Sequence, residues 1–213
     1  MTLLNQYEVQ FITFIKTEMK LDLAHDLNHI LRVVKTTKKL CKQERAVGEI
    51  AIPAAYLHDC FSYPKDHPDR AQSSIMAADK AIDFLKSINY PEYYFPDIRH
   101  AIVAHSFSAN VDALTLEAKI VQDADRLDAL GAIGIARCIQ VGAKLERQLY
   151  SSIDMFCDNR TPDDGTYTLD HFYTKLLTLA ASMKTPSGLT EAQSRTDFMR
   201  DYLKQLALEV QEN

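Results

Sequence analysis

Residues Ile50 to Asp59 read I-A-I-P-A-A-Y-L-H-D, an apolar run that ends in an adjacent imidazole and carboxylate. Such a run belongs inside a core, and it carries His58 and Asp59 to the edge of that core. Both groups are costly to bury without partners, so the rest of the chain must supply something that satisfies them. Taken alone, the pair has an ordinary explanation: a histidine near the carboxyl end of a helix, favoured by the helix dipole, with an aspartate opening the next loop. It also has a chemical one, because imidazole and carboxylate are both ligands for divalent metals.

The composition favours a helical core around this run. The chain has 213 residues, 46% of them hydrophobic, which is enough to build one full domain. Six Gly and seven Pro are few for a β-rich or low-complexity chain. Helical spacing of apolar residues predicts a first helix over 3–20, through Leu4, Tyr7, Phe11, Phe14 and Ile15. Asp26 is the expected N-cap of a second, running to about Cys41 and burying Ile30, Val33, Val34, Thr37 and Leu40. The third is Glu49 to Asp59, with Pro53 tolerated only in a first turn. Asp69 is expected to cap a helix over 70–88 that buries Ile75, Ala78, Ile82 and Leu85. Phe95–His105, Leu114–Ala124, Asp128–Lys144, Phe172–Met183 and Thr190–Val210 complete the set. Gly131 and Gly134 read as a close helix contact rather than a turn, and 157–167 as a surface loop. The sum is an all-α chain of roughly nine helices.

Several functions lose support at this stage. The net charge is −5 with no basic tract, which argues against a duplex nucleic acid or membrane partner. No apolar stretch reaches the roughly 18 residues of a membrane span. No glycine-rich phosphate loop follows a strand, so dinucleotide and P-loop readings fall away. Cys41, Cys60, Cys138 and Cys157 are too widely spaced for a zinc ribbon and read as free thiols of a reducing compartment. The opening M-T-L-L-N-Q-Y-E-V-Q lacks the pattern of a signal peptide, so the expectation is a cytoplasmic protein, monomeric or homodimeric. An anionic substrate stays open, because a bound metal adds positive charge that the formal count omits.

The candidates for chemistry are His29, His58, Asp59 and Asp125, carried on three predicted helices distant in sequence. Oxygen and nitrogen donors without sulfur suit Mg²⁺, Mn²⁺, Fe, Co, Ni or Zn²⁺. The segment I-V-Q-D-A-D-R-L-D-A-L-G-A-I-G strengthens the case, since Asp123, Asp125 and Asp128 stand inside an otherwise apolar stretch. Arg126 pairing with one of them is the simpler explanation. His100 and His105 are five apart, roughly 140° around a helix, so both do not face one ion. His105, with Ser106 beside it, is the better site residue, as a phosphate donor or general acid. Lys65 and Arg70 follow the doublet closely enough to reach phosphate oxygens, although solvent exposure is the usual fate of loop cations.

These residues resemble the HD-domain superfamily of metal-dependent phosphohydrolases, whose pattern is a histidine, a His-Asp doublet and a distant aspartate. Here they match His29, His58-Asp59, and Asp125 in A-D-R-L. The chain is also similar to a small bacterial subgroup of single-domain YedJ- and YpgQ-like proteins. The shared stretches are Pro64 to Arg70, Ala104 to Ser108 (A-H-S-F-S), Glu117 to Leu127 (E-A-K-I-V-Q-D-A-D-R-L) and Asp170 to Leu177. The resemblance implies a single all-α HD domain over 1–213, a bundle-like globule with its metal core at about 20–140 and C-terminal helices at about 168–210. It implies one divalent ion on His29, His58, Asp59 and Asp125, with Asp59, His105 and Lys65 as catalytic residues. Lys65, Arg70, His105, Lys119, His171 and Lys175 are the expected contacts to a small phosphorylated substrate, expected to be a nucleotide. The competing readings are an HD-type phosphodiesterase and a non-enzymatic, metal-stabilised nucleotide-binding protein.

Overall fold

The computed structural model describes residues 3–18, 26–64 and 67–210. Among them are nine α-helices and three short 3₁₀ segments, with no strand and one isolated bridge between Gln148 and Tyr167. The chain divides into two units, Met1–Asp125 and Arg126–Asn213.

The first unit holds α1 (Leu3–Glu18), α2 (Leu27–Glu44), α3 (Gly48–Leu57), α4 (Ser73–Ser87) and α5 (Phe95–His105), and most of α6 (Leu116–Leu127). α3, apolar from Ile50 onward, is its axis: every residue from Ile50 to Leu57 is buried, with α1, α2, α4 and α5 packed around it. Burying a helix on all sides demands an all-apolar sequence, which the run supplies. α2 has one buried stripe, Ile30, Val33, Val34, Thr37, Leu40 and Cys41, as the spacing predicts. Asp26 caps it, accepting the His29 backbone N–H at 2.8 Å.

Pro53 departs from expectation. It is the sixth residue of α3, inside the helix rather than in its first turn. Proline has no N–H for the carbonyl four residues back. That carbonyl belongs to Glu49, and the Tyr90 hydroxyl donates to it at 2.7 Å. Tyr90 reaches it because α4 ends at Ser87 and Asn89, two residues on, adopts a left-handed φ of 56° that turns the chain back.

Three other boundaries shift. The predicted helix over 70–88 opens with a 3₁₀ turn, Arg70–Gln72, and Asp69 makes no capping bond to it. Its buried face is Ser74, Ala77, Ala78, Ala81 and Leu85, while Ile75 is exposed. α6 begins at Leu116, leaving Leu114 in an exposed loop.

The second unit packs α7 (Gly131–Lys144) on α9 (Pro186–Val210), with α8 (Asp170–Thr174) and the 3₁₀ segment Leu176–Ser182 alongside. α7 starts at Gly131 rather than Asp128, and Gly131 has a φ of +71°. It therefore serves a left-handed turn as well as a close approach, with the stem of Arg195 where a Cβ would point. An irregular segment over 145–169 contains the predicted loop. The Asp170 carboxylate, fully buried, gathers it by pairing with the Arg160 guanidinium and accepting the Asp163 N–H. No helix among the described residues is long and apolar enough to cross a membrane.

Replacing Tyr90 with Phe is expected to lower stability by about 1–3 kcal/mol, because the Glu49 carbonyl then has neither donor. Pro53→Ala restores a helical N–H, so the Tyr90→Phe loss should shrink in that background. Chemical denaturation of the two single variants and the double variant measures both effects.

Candidate metal centre

Four helices of the first unit bring their ends or edges to one place. His29 stands in the first turn of α2, fixed there by the Asp26 cap. His58 and Asp59 occupy the turn that leaves α3. His105 is the last residue of α5, and Asp125 lies one turn from the end of α6.

The donor atoms converge. His29 Nε2 is 3.4 Å from Asp125 Oδ1 and 3.8 Å from Asp59 Oδ2. His58 Nε2 is 3.4 Å from Asp59 Oδ2 and 3.8 Å from Asp125 Oδ1. On the far side of the same carboxylate, His105 Nε2 is 3.6 Å from Asp59 Oδ1. Ions bound by nitrogen and oxygen at about 2.1 Å hold neighbouring ligands roughly 3.0–3.4 Å apart. A small contraction of the observed set meets that requirement. Two groups of three keep their donor atoms within 4.8 Å of one another, His29 with His58 and Asp125, and His58 with Asp59 and His105.

The tautomers suit ligation. His58 Nδ1 sits 2.9 Å from the Ala55 carbonyl, an oxygen that only accepts. The ring proton is therefore on Nδ1, and Nε2 presents a lone pair. That Nε2 is buried and has no hydrogen-bond partner among the described residues. Burial holds the His58 pKa below the ordinary imidazole range, against the pull of the Asp59 charge, so the ring is neutral. His105 is oriented in the same way by the Ile102 carbonyl. Burial works against its charged form, but the Asp59 carboxylate 3.6 Å away outweighs it, and its pKa is raised. The two imidazoles of one cluster are thus shifted in opposite directions.

Cys60 follows the doublet without joining it. Its thiol donates to the Ala77 carbonyl at 3.3 Å, and burial pushes its pKa up to about 12.

The cluster opens into a cavity of about 190 Å³ whose walls include Asp59, His105, Arg70, Ser74 and Phe107. Arg70 donates to the Ser62 hydroxyl at 2.6 Å and to the Tyr63 carbonyl. It holds the loop through those oxygens rather than through Asp69. The hydroxyl of Ser74 is buried and has no partner among the described residues.

The structure thus assembles His29, His58, Asp59, Asp125, His105 and Arg70 in one unit. Lys65 lies outside the described residues. Lys119 is half-buried on α6 and does not line the cavity. His171 and Lys175 belong to the second unit, where His171 pairs with Asp164 at 2.7 Å and Lys175 marks the break after α8. His100 is structural, accepting the Leu114 N–H at 3.0 Å. Asp128 is buried against Arg137 at 2.7 Å, and Arg126 donates to the Ser182 carbonyl. Sequence reasoning missed Ser74 and Phe107, although A-H-S-F-S was in view; serines and a phenylalanine carry no ligand signal of their own.

A family model described as HD domain matches residues 26–130. The chain is similar to the protein YpgQ of Bacillus subtilis (strain 168), 30% identical over 191 residues, covering 88% of this chain and 85% of that one. The chain belongs to the HD-domain family. The crystal structure of Bacillus subtilis YpgQ in complex with ADP is similar at a TM-score of 0.75 and 30% identity, covering 98% of this chain and 97% of that one. An HD-superfamily hydrolase from Bacillus thuringiensis is similar at a TM-score of 0.75 and 32% identity, covering 96% and 97%. The HD fold and the clustered donors make this chain a metal-dependent phosphohydrolase.

Asp128→Ala is expected to cost about 2–4 kcal/mol, since it leaves Arg137 without that carboxylate. It should leave the ratio of divalent ion to protein unchanged. Thermal denaturation and elemental analysis of the purified variant test the two halves.

Proposed function

We propose that this HD-domain protein hydrolyses a nucleotide or a related small phosphate ester or anhydride, using one divalent ion held by His29, His58, Asp59 and Asp125. The observation that carries the reading is the approach of two imidazole nitrogens to two carboxylate oxygens at 3.4–3.8 Å in a buried pocket. A buried lone pair at His58 Nε2 with no hydrogen-bond donor calls for a cation. A divalent ion there supplies Lewis acidity toward a phosphoryl oxygen and makes a water more acidic.

The chain's own residues do the rest. His58, kept neutral by burial, offers Nε2 as a ligand at neutral pH. Asp59 faces the metal ligands with Oδ2 and His105 with Oδ1, so one carboxylate aligns both. We assign His105 as the acid: with Nδ1 turned to the Ile102 carbonyl, its Nε2 faces Asp59 and the cavity, where a proton on it would reach a phosphoryl or leaving-group oxygen. Arg70 sets a fixed positive charge on the cavity wall, and no carboxylate pairs with it among the described residues. We assign it to a substrate phosphate, with Lys65, five residues earlier in the sequence, as a second contact. The ADP held by the similar Bacillus subtilis protein supports a nucleotide. The setting we infer is the cytoplasm.

A second reading has its own observation. His58, Asp59 and His105 form a second group with donor spacing fit for an ion. In that reading His58, Asp59 and His105 would hold a further ion, and His105 would serve as a ligand instead of an acid. A metal-to-protein ratio of two, lost to one in His105→Ala, would establish it.

Loading the protein with Mn²⁺, Mg²⁺, Co²⁺ or Ni²⁺ and screening nucleoside phosphates, phosphomonoesters and model diesters tests the main reading. Asp125→Ala should abolish turnover and release the ion. Arg70→Ala should keep the ion and lose ~5- to 150-fold in kcat/KM, the loss of one charged phosphate contact of about 1–3 kcal/mol. A stable one-to-one ion content in Asp125→Ala would remove that residue from the ligand set.

A further inference from the structure

One wall of the cavity does not suit metal or phosphate. Phe107 is 87% exposed, yet it lines the same cavity as His58, Asp59, His105 and Asp125. A lone exposed phenylalanine is unremarkable on a protein surface. The position is what matters, because Phe107 comes two residues after His105, in the turn that leaves α5. That turn is built to present it. The Ser106 and Ser108 hydroxyls lie 3.0 Å apart on either side of it in sequence. The Asn110 N–H reaches back to the Phe107 carbonyl at 3.4 Å, with Asn110 at a left-handed φ of 50°.

A second ring lines the cavity. Phe61 stands edge-on to Tyr63, with centroids 4.9 Å apart, and Tyr63 in turn stacks on His67 at 4.3 Å. The remaining lining is hydroxyl, imidazole, carboxylate and guanidinium. Exposed apolar rings contribute nothing to holding a cation or an oxyanion. They do fit a flat, neutral, aromatic group attached to the phosphate, since π-faces stack on one another with little demand for hydrogen bonding.

We propose that Phe107 is the stacking platform for the aromatic base of a nucleotide substrate, and so a specificity-determining residue. The inference rests on the nucleotide reading above and adds how the base is held. The phosphate end then lies toward Asp59 and His105, and the base lies over Phe107 at the turn.

The chain contains no Trp, so Phe107→Trp installs a sole indole at the site in question. In the metal-loaded variant, ADP should quench and shift its emission, and inorganic pyrophosphate should not. Phe107→Ala should fold with an unchanged melting temperature. It should raise KM for a nucleoside triphosphate about 5- to 100-fold, the usual range for losing one base-stacking ring. Turnover of inorganic tripolyphosphate, which has no base, should be unaltered. Wild-type protein that hydrolyses nucleotides, with Phe107→Ala equally active on them, overturns the platform alone. So does equal loss on both substrates, or an indole blind to ADP. Wild-type protein that cleaves tripolyphosphate or a phenyl phosphate but neither binds nor cleaves any nucleotide overturns the nucleotide reading and the platform with it.

Discussion

The Ala55 carbonyl fixes more of this site than any charged group does. It takes the Nδ1 proton of His58 and so commits Nε2 to be an acceptor, in a position with no hydrogen-bond donor among the described residues. An acceptor in that state is expensive in an apolar core unless something positive arrives. The buried α3 is what makes the cost unavoidable, because it drives His58 to zero exposure. Everything around the cluster follows from that commitment: the capped start of α2 that holds His29, the carboxylate of Asp59 turned toward two rings, and Asp125 near the end of α6. The helices are arranged so that their termini, where backbone and side chains are least constrained by the helix itself, meet at one point.

The opposed preferences of His58 and His105 come from one carboxylate. Both rings are buried, and both spend Nδ1 on a carbonyl three residues back. They differ in how Asp59 serves them: it favours the charged form of both, but only for His105 does it outweigh desolvation. Two buried histidines at helix ends, each turned by a carbonyl three residues back, thus come out with opposite shifts. This is the usual way a fold separates chemical roles.

Much of this was legible in the sequence, for a physical reason. Helical periodicity reports burial of a face, so the buried stripe of α2 was read residue by residue, although the helix runs on past Cys41 to Glu44, and Phe95–His105 was read to its ends. The H, H-D, D residues were legible because such groups have few stable reasons to sit in apolar runs. What was not legible depended on partners far away in sequence. Nothing local says that Pro53 can stand inside a helix; that depends on Tyr90 being delivered to Glu49 by a turn at Asn89. Gly131 needed its φ before its turn could be seen. Ser74 and Phe107 are ordinary residues whose meaning comes only from the cavity they line.

Cys60 shows how the centre chooses its ions by what it withholds. A soft sulfur one residue from Asp59 would invite copper, cadmium or mercury, which outcompete harder ions wherever thiolate is available. Here the thiol faces the Ala77 carbonyl and stays protonated well above physiological pH. The same burial removes it from reach of peroxide, which attacks thiolates. The residue beside Asp59 therefore adds neither a soft ligand nor an oxidisable thiolate to the site.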